Sequence, residues 1–162
     1  MIEMIVAAGL DGAIGKDNKL LWNLKDDMKH FIDKTKGKNI VMGRKTFESL
    51  PDGPLKNRHN YVLTDSRKDY FPIDKTTTLT FLSYDDLMFM NIDFIVIGGA
   101  KVYELFMEKA DIIHCTLVFD TFPEADTFIP TIDPSNYIIK EAQFHEANDR
   151  NDFPFHIVTM IR

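Results

Sequence analysis

Short apolar segments alternate with helix-forming segments along the first two thirds of the chain, and this alternation restricts the possible folds more than any other feature. An apolar run at residues 1–8 precedes a predicted helix at residues 24–35, and residues 39–42 precede another at 43–50. Strands that alternate with helices pair in parallel, because each helix carries the chain back to the start of the next strand. The sequence therefore predicts an α/β fold built on a mostly parallel central sheet.

The last third of the chain contains strand-like segments without helices between them. Residues 137–145 and 155–161 predict a closing antiparallel hairpin with an acidic, Asn-rich connection, so we expect an antiparallel C-terminal edge on the sheet. With the two helices above, the pattern gives about four helices. The other predicted elements are strands at 61–64, 76–83, 94–97 and 112–119 and helices at 84–90 and 100–106.

Composition limits the class of protein. A length of 162 residues predicts one domain, residues 1–162, and the net charge of -6 argues against a general nucleic-acid binder. Charged residues interrupt the N-terminal apolar stretch, so neither a signal peptide nor a membrane-spanning segment is expected. The single cysteine, Cys115, lies in an apolar run and is predicted to be a buried thiol, consistent with a reducing cytosol. We therefore expect a cytoplasmic protein.

A predicted helix start carries two adjacent acids in different environments. Asn23 is a typical N-cap. Asp27 borders the apolar face of the helix, whereas Asp26 points away from it, so burial is expected to raise the pKa of Asp27 alone. Either Asp27 is functional, or both acids only decorate the positive end of a helix dipole. The apolar face comprises Leu24, Met28, Phe31 and Ile32.

Two glycine-containing turns follow predicted strands and precede predicted helices. The first is Gly43-Arg44-Lys45-Thr46, and the second is Gly98-Gly99. Ligands of open α/β sheets bind beyond the carboxyl ends of strands, and free N–H groups at helix starts favour phosphate. Each turn alone is better explained as a tight turn before a solvated helix, but the two together favour a nucleotide site. Neither turn forms the Gly-x-Gly-x-x-Gly or Walker pattern.

No metal centre or acyl-transfer site is predicted. The five histidines are dispersed, and none pairs at helical spacing with another histidine or with the cysteine. We expect His30 on a helix surface, and His114 and His156 in strands. No serine lies in a nucleophile-elbow pattern.

Several motifs occur together in one order along the chain. They are Ile14-Gly15 with Asn18, Trp22-Asn23-Leu24 with Asp27, Met42-Gly43-Arg44-Lys45-Thr46-Phe47-Glu48-Ser49, Pro54-Leu55 with Arg58, Ile97-Gly98-Gly99 with Val102-Tyr103, and Asp126-Thr127. With these motifs the chain resembles the dihydrofolate reductase family over nearly its whole length. The resemblance implies a mostly parallel, eight-stranded central sheet flanked by helices. It also implies reduction of 7,8-dihydrofolate to tetrahydrofolate with NADPH, with hydride passing to C6 of the pteridine and a proton to N5.

The resemblance implies roles for individual residues in the substrate site. Asp27 is the single acid expected in the pteridine pocket, where it favours protonation at N5. Trp22 and Thr116 are expected to support it by hydrogen bonding, directly or through water. Arg58 is expected to hold the α-carboxylate of the substrate's glutamate tail. The pocket lining implied by the family is Ile5, Val6, Ala7, Met28, Phe31, Leu50 and Leu55.

A second group of residues is expected around the cofactor. Leu20 and its neighbours correspond to a mobile loop over the site, and the second glycine turn with its helix is expected to cradle the cofactor. The family is often monomeric, so a monomer is expected, and antifolate inhibitors are expected ligands. The cofactor residues implied are Ala7, Ile14, Gly15, Asn18, Leu20, Gly43, Arg44, Lys45, Thr46, Leu63, Thr64, Ile97, Gly98, Gly99, Ala100, Lys101, Val102, Tyr103 and Thr127.

Some positions depart from the pattern of the family. Leu21 and Lys25 replace frequent prolines, and Ala125 replaces a usual glycine. Asp65 lies where the 2′-phosphate of NADPH is expected, and an acid there is unfavourable, although NADPH remains the favoured cofactor. The altered loop and pocket also predict reduced sensitivity to diaminopyrimidine antifolates such as trimethoprim. The basic residues available to offset the acid are Arg44, Arg67 and Lys101.

Two other functions are compatible with parts of this pattern. One is a related reductase of the same fold that acts on another pterin or on a pyrimidine intermediate of riboflavin synthesis. The paired presence of Asp27 and Arg58 argues against it, because its substrate has no glutamate tail. The other is a non-catalytic folate or nucleotide binder, which needs neither an acid in the pocket nor a flexible loop at residues 9–22.

Overall fold

One nine-stranded sheet runs through the molecule, and a two-stranded sheet lies beside it. The computed structural model describes residues 1–162. The strands are β1 (Ile2–Gly9), β2 (Ala13–Gly15), β3 (Asn39–Gly43), β4 (His59–Leu63), β5 (Asp69–Pro72), β6 (Thr78–Leu82), β7 (Phe94–Gly98), β8 (Ile112–Val118), β9 (Thr127–Phe128), β10 (Ile138–His145) and β11 (Phe155–Ile161).

The large sheet is parallel in its centre and antiparallel at both edges. Its order is β10-β11-β8-β1-β7-β3-β4-β6-β5. The strands from β8 to β6 in this order pair in parallel. The hairpin of β10 and β11 is antiparallel and joins β8, while β5 pairs antiparallel with β6 at the opposite edge. The mixed α/β class and the antiparallel C-terminal edge are thus confirmed.

The sheet has nine strands, so the expected number of eight is wrong by one. The missed strand, β5, is exposed at every position and therefore shows no alternation of buried and exposed residues. Residues 9–23 were also expected to be a loop, yet they contain β2, which pairs with β9. Strands of two or three residues are held by backbone hydrogen bonds, which leave little signal in the side-chain pattern.

Four α-helices flank the sheet, in agreement with the predicted number. None of them is long and apolar enough to cross a membrane. A single 3₁₀ turn, Pro134–Asn136, precedes β10 and was not predicted. The helices are α1 (Lys25–Thr35), α2 (Arg44–Ser49), α3 (Tyr84–Phe89) and α4 (Ala100–Phe106).

The central strands bury side chains on both faces of the sheet. In β1, Met4 and Val6 join one hydrophobic cluster, while Ile5 joins the cluster on the opposite face. In β7, Val96 joins the same cluster as Met4, and Ile95 joins the same cluster as Ile5. Because successive side chains of a strand point to opposite faces, a strand covered on both sides is apolar at nearly every position. This covering explains why these strands are continuous apolar runs in the sequence.

The register of β1 and β8 determines which side chains lie together beneath α1. Ile5 pairs with His114, and Ala7 pairs with Thr116. The two β8 residues are two positions apart, so their side chains point to the same face of the sheet. This face, near the carboxyl ends of the parallel strands, contains the candidate site.

Candidate active site

The first turn of α1 is not capped by Asn23, so that prediction is wrong. Leu24 occupies the N-cap position and makes no side-chain cap. The free backbone N–H groups at the start of α1 are bound instead by a turn near the C-terminus. For example, the backbone N–H of Lys25 donates to the carbonyl of Arg150 at 3.0 Å. Asn23 is paired with Asp152, whose carboxylate accepts from its backbone N–H at 2.9 Å.

The two acids of this turn lie in different environments, as the helical spacing predicts. Burial raises the pKa of Asp27, and a hydrogen bond from Thr116 opposes that rise only in part. The Thr116 hydroxyl donates to Asp27 Oδ1 at 2.5 Å. In contrast, hydrogen bonds from Asn151 and Arg150 lower the pKa of Asp26. The buried carboxyl therefore stays protonated to higher pH than its neighbour.

The apolar face of α1 is partly exposed instead of entering the core, and we call the surface that it forms with Leu50 and Leu55 the cleft. Met28 is 47% exposed and Ile32 is 44% exposed, although both belong to the predicted apolar face. Phe31 is half-buried against the cluster that contains Ile5. Leu50 and Leu55 pack against the same cluster, so the structure brings most of the predicted folate lining together.

Two of the predicted lining residues do not share that cluster. The Val6 side chain packs into the cluster on the opposite face of the sheet, since it alternates with Ile5 along β1. Only its backbone is available on the side of the cleft. Ala7 packs beside the cluster of Trp22 and Leu24.

Arg58 is held at the opposite end of α1 from Asp27. Its side chain is 8% exposed, and burial lowers the pKa of its guanidinium. Its Nε donates to Thr35 Oγ1 at 3.1 Å, and its Nη1 donates to the carbonyl of Lys56 at 2.6 Å. Thr35 lies eight residues after Asp27, which is about 12 Å along a helix. The cleft thus has an acid at one end and a cation at the other, as an elongated anionic ligand requires.

Two glycine turns approach each other beside this cleft. Gly43 is the N-cap of α2, and Gly99 is the N-cap of α4. A Cβ atom on Gly99 would lie 3.1 Å from Thr46 Oγ1, and one on Gly43 would lie 3.1 Å from Val102 Cγ2. The absence of Cβ atoms leaves backbone N–H groups open, which is the arrangement that a phosphate group needs.

Tyr103 links this glycine region to the substrate cleft. Its buried hydroxyl donates to the carbonyl of Ile5 at 2.8 Å. Gly98 lies within reach of the same ring, because a Cβ atom there would stand 3.6 Å from the Tyr103 hydroxyl. The two halves of the candidate site are therefore in direct contact.

Two of the four basic residues expected near the phosphates or near Asp65 are paired with acids. Arg44 donates to Glu48 at 2.9 Å. Arg67 donates to Asp69 at 2.6 Å, and its guanidinium lies 3.9 Å above the Phe81 ring. Of the three cations expected to offset Asp65, only Lys101 makes no ion pair within the chain. Lys45 is likewise exposed and makes no ion pair, while Leu63 and Thr64 lie at the end of β4 beside Asp65.

The segment between β2 and Trp22 forms a flap with an exposed tip. Asp126 connects to this flap, because its backbone N–H donates to the Gly15 carbonyl at 3.1 Å and its Oδ2 accepts from the Asp17 N–H at 2.9 Å. Thr127, on β9, pairs with Gly15. Leu20 is 59% exposed. The predicted cofactor residues Ile14, Gly15, Asn18, Leu20 and Thr127 all belong to this flap or to its partner strand.

Trp22 lies beneath the flap and makes no side-chain hydrogen bond within the chain. Its ring packs edge-on against Phe122 at a centroid distance of 5.0 Å. Of the two residues expected to support Asp27, Thr116 does so directly. Trp22 contributes packing in the cluster below the flap.

A pair of histidines, one of them half-buried and the other buried, adjoins the site and was not predicted. His30 was expected on the helix surface, but its Nε2 is buried without a partner and its ring lies 6.1 Å from that of His114. Burial, with a smaller effect of His114, lowers the pKa of His30 to about 4. His114 Nε2 contacts the Glu3 carboxylate at 2.7 Å. These residues come from α1, β8 and β1, so no local sequence pattern connects them.

A family profile for dihydrofolate reductase matches residues 1–162. The chain belongs to the dihydrofolate reductase family. It is 31% identical over 169 residues to the dihydrofolate reductase of Haemophilus influenzae, which covers 99% of this chain and 98% of that protein. It is 34% identical over 155 residues to the Bacillus subtilis enzyme, covering 96% of this chain and 90% of the other.

A solved structure of a dihydrofolate reductase shows the same architecture. The Enterococcus faecalis enzyme, complexed with NADP(H) and RAB-propyl, superposes with a TM-score of 0.84 and 31% sequence identity. The match covers 100% of this chain and 96% of the other. The sequence resemblance thus extends to the complete fold.

Departures from the dihydrofolate reductase pattern have visible consequences in the structure. Lys25 stands where the family often has proline, and its N–H makes the 3.0 Å bond to Arg150. Proline has no N–H, so this bond depends on the replacement. Leu21 is half-buried against the cluster of Trp22. The Ala125 N–H donates to the Phe122 carbonyl at 3.0 Å, in the segment that carries Asp126.

Proposed function

We propose that this chain reduces 7,8-dihydrofolate to 5,6,7,8-tetrahydrofolate, with hydride transfer to C6 and protonation at N5, and that it uses NADPH. The observation that carries the proposal is the buried Asp27 carboxyl, bonded to Thr116, at one end of a cleft whose other end contains Arg58. Family membership supports the same reaction. NADPH, when bound, supplies the hydride.

Asp27 binds and orients the pteridine in this proposal. Thr116 occupies its Oδ1, while Oδ2 makes no hydrogen bond within the chain and is available to the 2-amino and N3 region of the substrate. The raised pKa of Asp27 brings its proton nearer to the working pH, which favours delivery of a proton to N5 through water. Arg58 binds the α-carboxylate of the glutamate tail, because a guanidinium matches a carboxylate in geometry and charge.

The glycine cradle fits the proposed cofactor. Gly43 and Gly99 lack the Cβ atoms that would crowd Val102 and Thr46, respectively, so the two turns pack closely, and their backbones are proposed to contact the pyrophosphate. Lys45 and Lys101 are exposed cations beside the cradle. The flap that carries Leu20 covers the nicotinamide half and excludes water from it.

The test is the loss of NADPH absorbance on mixing protein, NADPH and dihydrofolate, repeated with NADH and with Asp27→Asn. We expect turnover that prefers NADPH and falls by about 10²-fold or more in the variant at neutral pH. Binding of both ligands without turnover would indicate a non-catalytic binder instead. A lack of affinity for dihydrofolate would indicate a reductase of another pterin or pyrimidine.

We further propose that the enzyme is a cytoplasmic monomer. All residues of the proposed site come from one chain, so catalysis requires no partner subunit. Light scattering after size exclusion would give a mass near 18.7 kDa for a monomer. A mass twice as large would contradict the proposal, and fractionation of cells tests the location.

Reduced sensitivity to diaminopyrimidine antifolates is the last part of the proposal. It is supported by the departures at Leu21 and Lys25 next to the cleft. Titration of turnover with trimethoprim is the test. Ordinary tight inhibition would contradict the idea.

A further inference from the structure

The first turn of α1 depends on a distant segment for its cap. The Asn151 side chain is 1% exposed and makes a reciprocal pair with Asp26. Its Oδ1 accepts from the Asp26 backbone N–H at 3.2 Å, and its Nδ2 donates to Asp26 Oδ2 at 2.8 Å. A free helix N–H is normally satisfied by the residue just before the helix, and here Leu24 is unable to do so.

Arg150 occupies the remaining oxygen of Asp26. Its Nε donates to Asp26 Oδ1 at 3.0 Å. Both carboxylate oxygens of Asp26 are therefore bound by the segment that connects β10 to β11. These bonds lower the pKa of Asp26, so it is an anion throughout the working range of pH.

The connecting segment is itself ordered by internal hydrogen bonds. Asn148 Oδ1 accepts from the backbone N–H groups of Arg150 at 2.9 Å and of Asn151 at 3.0 Å. Asp152 binds the backbone of Asn23 at both its N–H and its carbonyl. The turn thus joins α1 at consecutive residues immediately before Asp27.

We propose that the Asn148–Asp152 turn is a positioning element for Asp27, in which Asn151 fixes the first turn of α1 and Arg150 balances the charge of Asp26. Asp27 follows Asp26 directly and is buried. The negative charge of Asp26, if unbalanced, would disfavour ionisation of the buried Asp27 carboxyl. The positive charge of Arg150, paired with Asp26, cancels this effect. Arg150 thereby controls the pH at which Asp27 titrates without touching it.

The effect of Asp26 and Arg150 on Asp27 is the proposed one, and three other titratable groups interact with Asp27 through their charges. They are His145 on β10, Cys115 on β8 and Tyr103 on α4. Burial raises the pKa of Cys115 to about 11 and raises that of Tyr103 further, so both are neutral in the working range. His145 is unchanged in every variant proposed below, so differences in the pKa of Asp27 between variants do not come from substituting it.

The test is a carbon-13 NMR titration of the aspartate carboxyls in the full chain, with the Asp27 signal assigned by its loss in Asp27→Asn. We expect Arg150→Gln to raise the pKa of Asp27 by about half a unit and Asp26→Asn to lower it by a similar amount. The double variant should return close to the wild-type value. Arg150→Lys keeps the charge and should also restore it.

A matched control lies away from α1. Lys68 and Asp86 form an exposed ion pair at 3.1 Å, and Lys68→Gln should leave the Asp27 titration unchanged. If Arg150→Gln and Asp26→Asn shift the pKa in the same direction, or not at all, the charge-balancing role is overturned. Asn151→Ala tests whether Asn151 fixes the first turn of α1. If this variant keeps both the Asp27 titration and the α1 stability of the wild type, Asn151 does not have that role.

The inference rests on the proposed function only for its catalytic consequence. The pH profile of turnover at saturating substrate should move with the NMR titration in each variant. An inactive wild type would refute the proposed function while leaving the NMR result readable. Matching pKa shifts without a shift in the rate profile would overturn the assignment of the turn as a positioning element for catalysis.

Discussion

At the scale of single residues, the environment rather than the residue type determines chemical behaviour. Asp26 and Asp27 are neighbours in the chain, yet hydrogen bonds lower the pKa of the first and burial raises that of the second. Their helical positions direct one to the Asn148–Asp152 turn and the other to Thr116. The functional role is therefore assigned to Asp27, whose charged carboxylate costs free energy to bury.

The buried Asp27 should destabilise the fold at neutral pH. Its folded pKa is raised, so the folded state binds the proton more tightly, and the free energy of unfolding falls as pH rises above the unfolded pKa of about 3.9. Asp27→Asn removes this loss, so we expect greater stability than wild type at pH 7 but not at pH 3. Urea unfolding at both pH values is the measurement. Exposed Asp33→Asn is the control, and equal effects of both substitutions would contradict the argument.

His30 should make the fold sensitive to acid. Burial lowers its pKa to about 4, so the unfolded state takes up a proton as pH falls from about 6.5 while the folded state does not. Stability is then lost progressively between these two values. We expect His30→Leu to flatten the pH dependence of unfolding in this window, measured by thermal melts. Exposed Ile32→Leu on the same helix removes no titratable group and should not, and an unchanged slope in His30→Leu would contradict the prediction.

Arg58 should act on binding of the glutamate tail. Removing a charged hydrogen-bond donor from a buried carboxylate costs about 2–3 kcal/mol, so Arg58→Ala should raise KM for dihydrofolate roughly 30- to 160-fold. A reduced pterin without the glutamate tail should show no such increase, and this comparison is the control. Steady-state kinetics with both substrates is the measurement. Equal losses with both would mean that Arg58 supports the fold only, through Thr35.

At the scale of secondary structure, the longer elements were predictable, including the mostly exposed β10, whereas β5 and the shortest strands were not. α4 has the predicted bounds, and β11 has them as well. In contrast, β5 is exposed throughout, and β2 and β9 are very short. Their positions depend on neighbouring backbone rather than on their own side chains.

The start of α4 provides a test of the glycine cradle. A Cβ atom on Gly99 would lie 3.1 Å from Thr46 Oγ1 and would occupy space needed by a phosphate. We expect Gly99→Ala to weaken NADPH binding at least about tenfold, measured by fluorescence titration. Thr46 is itself an expected cofactor residue, so the double variant with Thr46→Ala, which relieves the internal contact, is compared with Thr46→Ala alone. If these two variants bind NADPH equally, the methyl group added at Gly99 does not reach the cofactor.

At the scale of the whole molecule, cofactor binding should stabilise the complete fold. The cradle joins α2, α4, β3 and β7, which belong to one sheet and its helices. NADPH at 100 times its Kd should add about 2.7 kcal/mol and raise Tm by about 5–11 °C. Scanning calorimetry with NADPH and NADH is the measurement, and Asp65→Ser should widen the difference between the two cofactors. Equal shifts by both cofactors in every variant would contradict a role for Asp65 in selectivity.

The sequence by itself determined the order of the longer elements and the residues of the two glycine turns. It also indicated that Asp27 differs from Asp26. These properties follow from local periodicity and turn chemistry, which act over a few residues. For the same reason the family resemblance was visible from short motifs in a fixed order.

Only the tertiary structure decided which distant groups meet. Thr116 reaches Asp27 across 89 positions, and Asn151 reaches Asp26 across 125. The His30–His114 contact and the exposed β5 edge belong to the same category. Such pairs depend on strand order and register, which place β8 beneath α1 and the β10–β11 turn at its start. No local pattern predicts these contacts, because the sequence around each partner gives no sign of the other.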